Sequence, residues 1–119
     1  KYVSDMTLIK DISYMLKKNK EFRYVYNKGT SVADKYLVLI TVKNRMGAKV
    51  GFSVSKRIGN AVCRNHVKRL LRECARRLLS VDQQRSYLFI ARSAAANASY
   101  QRLYKSMEEL LLKAQGEKK

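Results

Sequence analysis

Apolar and polar residues change their spacing several times along this chain, and each change marks an element. From Met6 to Lys17 the apolar side chains Leu8, Ile12, Met15 and Leu16 recur at helical spacing. Residues 1–18 fit either a helical extension or an arm. Asn19 then offers an N-cap, Glu21 sits favourably in a first turn, and Phe22, Val25 and Tyr26 form an i, i+3, i+4 stripe that Gly29 closes. The spacing switches to strands at Tyr36–Lys43, an apolar run rich in β-branched residues. It continues at Lys49–Ser55, where Val50, Phe52 and Val54 alternate with Gly51, Ser53 and Ser55. Asn44–Gly47 is turn material, which predicts that these two strands pair as antiparallel neighbours. Tyr87–Ala91 reads as a third buried strand. Ser99 caps a last helix carrying Tyr100, Leu103, Met107, Leu110, Leu111 and Ala114 at helical spacing, and Gln115–Lys119 is a short charged tail. The order predicts a single α+β domain over residues 1–119: a small, mainly antiparallel sheet packed by helices in a two-layer sandwich.

The sharpest pattern lies between Lys56 and Arg77, where eight Lys or Arg stand against one acid, Glu73. Asn60 can cap a helix from about Ala61 to Leu79. At 100° per residue, Cys63, Val67, Leu70, Leu71, Cys74 and Leu78 share one apolar arc, while Arg64, Asn65, Lys68, Arg69, Arg72 and Arg76 share the opposite one. A solvated helix face normally mixes signs and gains from opposite charges at i, i+4. Here Arg64, Lys68 and Arg72 stack like charges at that spacing, which is mildly destabilising unless phosphates run alongside. Arginine suits such a site, because its planar fork makes two parallel hydrogen bonds to one phosphate. Just upstream, Lys56, Arg57 and the flexible Gly59 precede a helix N-terminus, where backbone N–H groups favour anions.

Overall charge widens the argument. Lys and Arg number 26 against nine Asp and Glu, leaving +17 on 119 residues. A body with that excess repels itself unless a polyanion neutralises it, and nucleic acid is the leading candidate, ahead of an anionic membrane or plain solubility. No run approaches the ~20 apolar residues that cross a bilayer, so no membrane partner is expected. Cys63 and Cys74, eleven residues apart on one helix, are separated by about 16 Å of rise, beyond disulfide reach, and read as buried thiols in a reducing cytoplasm. With the lone His66 on another flank they make no metal-binding pattern.

The stretch Val50–Glu73, VGFSVSKRIGNAVCRNHVKRLLRE, closely resembles the signature of the bacterial ribonuclease P protein subunit, with LKKNKEFRYVYNKGTSVADKYLVL (Leu16–Leu39) upstream and YLFIARSAA (Tyr87–Ala95) downstream in the family's order. His66 stands where the family usually carries the second Arg of an Arg-Asn-Arg run. The resemblance implies an unusual left-handed β-α-β crossover on the basic helix. It implies partnership with a catalytic RNA, one protein per RNA, that removes the 5′ leader of precursor tRNA with Mg²⁺ bound mainly by the RNA. Lys56, Arg57, Asn60, Arg64, Asn65, His66, Lys68, Arg69 and Arg72 then match the face set against that RNA. Phe22 and Tyr26, with Tyr36 as a third candidate, match the cleft for the leader, whereas Ile40 takes the place of a further aromatic in some relatives. Without the resemblance, ordinary helix packing is the simpler account of Phe22 and Tyr26.

Three rival classes remain. A protein catalyst would need clustered carboxylates or a nucleophile with an oriented base; the nine acids are scattered and the single histidine sits among cations, so no catalytic residue is expected. A ribosomal or RNA-chaperone protein is the stronger rival, since composition alone does not exclude it, while a DNA-binding helix-turn-helix would need a helix, not the strand Lys49–Ser55, before its recognition helix.

Overall fold

Helical and alternating segments assemble around one four-stranded sheet in the computed structural model, which describes residues 19–44, 48–79 and 84–117. The helical extension or arm expected over residues 1–18 and turn residues 45–47 lie outside the described residues. In chain order the elements are α1 (Asn19–Lys28), β1 (Thr30–Ala33), β2 (Leu37–Lys43), β3 (Lys49–Ser53), α2 (Ala61–Leu78), β4 (Arg85–Ala91) and α3 (Tyr100–Glu117). The backbone of α3 thus takes in the first three residues of the expected tail.

Sheet order is β1-β2-β4-β3. β1 and β4 both pair antiparallel with β2, while β3 pairs parallel with β4, Gly51 opposite Leu88. The expected antiparallel pairing of β2 with β3 is therefore corrected: β4 inserts between them, and α2 serves as the crossover between parallel neighbours. Parallel strands cannot be joined by a tight turn, so the long basic helix is also the connection that this pairing requires.

Alternation along the strands divides the core in two. Leu37, Leu39, Val50, Tyr87, Phe89 and Ala91 face α2 and α3, meeting Val67, Leu71, Cys74, Leu103, Met107 and Leu110 in the main cluster. This is the predicted layering. The opposite face carries a smaller cluster, Val25 of α1 with Ile40 and Leu88, flanked by Phe22, Val38, Val42 and Ile90. Thus α1 adds a cover to the far side of the sheet. Gly29 permits the tight entry from α1 into β1: a Cβ there would stand 2.6 Å from Ile40 Cγ2 and from the Val25 carbonyl oxygen. Ile40 itself is buried, so it offers RNA no surface.

β1 leaves little mark on the hydrophobic pattern, because Val32 is its only buried residue. A latch holds the turn that follows. Asp34 Oδ1 accepts from the N–H groups of Tyr36 (2.8 Å) and Leu37 (3.0 Å), and Oδ2 accepts from the hydroxyl of Ser106, fully buried on α3. Partial burial pushes the Asp34 carboxyl upward. The Ser106 hydroxyl, the two N–H groups and the charge of Arg102 outweigh that effect and hold it below its usual pKa.

Candidate nucleic-acid interface

The basic segment is built from its first residue by local chemistry. After β3 the chain makes a 3-10 turn, Lys56–Ile58, whose start is capped by Ser55 Oγ accepting from Arg57 N–H, and whose Ile58 is buried. Gly59 follows at φ 154°, a conformation that side-chain-bearing residues rarely adopt, and a Cβ there would press on Cys63 at 3.1 Å. Asn60 then caps α2 as predicted, its side chain accepting from Cys63 N–H at 2.9 Å. Ile58 thus anchors the turn in the core while Lys56 and Arg57 are left exposed.

Along α2 the two predicted faces separate, with an offset. Val67, Leu71 and Cys74 are buried, and so is Ala75, which lies outside the expected arc; Cys63, Leu70 and Leu78 are half-buried at its margins. The buried arc is rotated toward Arg64 and Lys68, which are half-buried flanks, while Asn65, His66, Arg69 and Arg72 are exposed. Arg64 also ties helix to loop, its Nε donating to the Gly59 carbonyl at 3.2 Å. Successive cations at i, i+4 rise about 6 Å along the axis. Between Lys56 and Arg77 the one ion pair among the described residues joins Glu73 to Arg76, at 2.9 Å on the helix surface. Val62 also stands on the outward side, 78% exposed near the helix start.

Both thiols are free. Cys74 is buried, and desolvation, helped by the Glu73 charge, pushes it up to about 12. Cys63, expected to be buried, is only half-covered, with its thiol toward the Ile58 carbonyl oxygen at 3.8 Å.

The three candidate aromatics do not come together. Phe22 is half-buried against the Val25–Ile40–Leu88 cluster and Tyr26, one turn along α1, is 64% exposed. Tyr36 packs instead against the main core on the α3 side, with Arg102 Cζ 5.2 Å and Lys35 Nζ 5.8 Å from its ring centroid. The reason is positional: Tyr36 precedes β2, in the turn held by Asp34, and so escapes the alternation that points Val38 and Ile40 toward α1. Lys35, Arg92 and Arg102 gather there from three distant segments, which no local spacing could announce.

Among the described residues no three His, Cys, Asp or Glu side chains are grouped so as to hold a metal ion, and no helix is long and apolar enough to cross a membrane.

Known proteins share both the sequence pattern and this geometry. The family model described as Ribonuclease P matches residues 12–115. The ribonuclease P protein component of Clostridium botulinum (strain 657 / Type Ba4) is 44% identical over 102 residues, spanning 83% of this chain and 92% of that protein. A solved Staphylococcus aureus RNase P protein, a mutant with defective mRNA degradation activity, superposes with a TM-score of 0.77 at 35% identity, over 87% of this chain and 89% of that one. The RNase P protein of Thermotoga maritima shares the fold at 23% identity and a TM-score of 0.74, over 83% of this chain and 96% of that one.

Proposed function

The chain belongs to the ribonuclease P protein family, as the accessory subunit of that endoribonuclease, and from this we propose how its two exposed faces divide the work. Its partner is the ribonuclease P RNA. The outward side of α2 and its approach, Lys56, Arg57, Asn60, Arg64, Asn65, His66, Lys68, Arg69 and Arg72, lies along the phosphates of that RNA. The observation that carries this reading is a helix whose buried face is fully apolar and whose outward cations have, apart from Arg76, no acidic partner among the described residues. On the far side of the sheet, Tyr26 and the open edge of Phe22 meet the single-stranded 5′ leader of precursor tRNA, where aromatic stacking needs no particular base.

On this reading the metal and the bond cleavage belong to the RNA, and the protein supplies position and charge. One protein per RNA and a cytoplasmic setting complete the proposal. Nothing favours a ribosomal or chaperone role.

The test is the salt dependence of binding. Each neutralised phosphate contributes a log–log slope of about −0.7 on single strands, so Arg69→Ala should weaken binding to the catalytic RNA and make the slope shallower by about that amount. An unchanged affinity and slope would mean that Arg69 is merely solvated. Rigorously RNA-free protein should leave precursor tRNA uncut in Mg²⁺; cleavage would place a catalytic group in the protein.

A further inference from the structure

Tyr36, set apart from the α1 aromatics, sits at the centre of a group of cations at one end of the sheet. Arg92 directly follows β4, its N–H donates to the Tyr36 carbonyl at 2.8 Å, and its Nη1 donates to the Asp34 carbonyl at 3.0 Å. Lys35 and Arg102 flank the ring, and all three cations are exposed. Among the described residues none of the three is held in an ion pair: Asp34, whose carboxylate accepts from Tyr36, Leu37 and Ser106, feels the charge of Arg102 but makes no direct pair with it. Glu109, which shares a shallow hollow with Asp34 and Lys113, lies seven residues along α3 from Arg102, about 10 Å away.

This group is continuous with the α2 approach. The Lys56–Ile58 turn packs against the 3-10 segment Ser93–Asn97, which follows Arg92 directly. β4 lies between β3 and β2, so the strand ends leading to Lys56 and to Tyr36 are two strand spacings apart, roughly 10 Å. An arginine held against an aromatic face keeps its fork free for an anion and loses less freedom when it binds.

We propose that Lys35 and Arg102, flanking the Tyr36 ring, and Arg92, held on the Asp34 and Tyr36 carbonyls, form a second phosphate-binding station that carries the catalytic RNA from the start of α2 across the strand ends. The station rests on the α2 reading above. Tyr36 acts as a positioning residue for its cations.

The full chain and the catalytic RNA, titrated over a range of salt, test it. Lys35→Gln/Arg102→Gln should lower affinity at least about tenfold and make the slope shallower by about 1.4, two phosphates at about 0.7 each. Tyr36→Phe should bind as wild type and Tyr36→Leu several-fold more weakly. If the double variant keeps wild-type affinity and slope while Arg69→Ala weakens binding, the station is wrong and the α2 reading stands. If Arg69→Ala also binds as wild type, both are wrong. Should circular dichroism show the double variant unfolded, the single variants carry the same test, at about 0.7 each.

Discussion

Helices α1 and α2 lie on opposite faces of one sheet and expose opposite chemistry. α2 turns cations outward over an apolar face centred on Val67, Leu71 and Cys74, whereas α1 buries Val25 and leaves Tyr24 and Tyr26 more than half exposed. On the proposed reading the first surface works through charge, which counterions screen and compete for, and the second through ring area, which they scarcely affect. On that reading, one small domain holds two parts of an RNA assembly by interactions that respond differently to salt.

Truncating the α1 aromatics puts that contrast to its hardest test. Tyr26→Ala should remove the proposed base–aromatic stack, worth about 1–3 kcal/mol, or roughly fivefold to more than a hundredfold in affinity. Precursor tRNA should bind the assembled RNA–protein complex that much more weakly, with mature tRNA nearly unaffected, the salt slope unchanged and the melting temperature close to wild type. Phe22→Ala should show the same selectivity and also lower the melting temperature, because Phe22 packs on the small core cluster. Equal loss of both tRNAs would make these rings packing residues alone.

A smaller effect belongs to the α3 side. Ser106→Ala deprives the Asp34 carboxylate of a buried donor and should cost about 1–2 kcal/mol of stability at neutral pH. Because folding lowers the Asp34 pKa, the latch contributes fully above the unfolded value, 3.8, and its contribution is lost as pH falls through the lower folded value. Denaturant titrations should therefore find the gap between wild type and variant largest at neutral pH and narrowing in acid. A gap independent of pH would mean that the carboxylate charge plays no part.

The smallest expected change sharpens the α2 side. His66 is exposed beside Asn65 on the outward face, so His66→Arg adds a fixed charge without disturbing the core. Binding of the catalytic RNA at neutral pH should tighten by up to about tenfold, near the low end for a charge-assisted hydrogen bond. Weaker binding with the fold intact would show that the imidazole makes a contact of its own.

How much of this is legible in the residues follows from the range of the interactions involved. The extent of α2, its Asn60 cap and its two faces are readable because capping and helical periodicity act within a few residues. The same holds for Ser99, whose hydroxyl accepts from Arg102 N–H at 3.1 Å at the start of α3. Strand alternation likewise tells which side chains of β2 and β3 point to one face. It does not tell which strand lies beside which, since an alternating strand satisfies its backbone equally with any neighbour of suitable pattern. Only the folded sheet placed β4 between β2 and β3; the crossover on α2 is implied by the family resemblance, not by any local spacing. Only the Asp34 turn took Tyr36 away from Phe22 and Tyr26 and set it among Lys35, Arg92 and Arg102. The sequence by itself determined the basic helix and the charge it displays, because those rest on local geometry; the tertiary structure decided which distant cations and rings share a surface, because that depends on hydrogen-bond partners far apart along the chain.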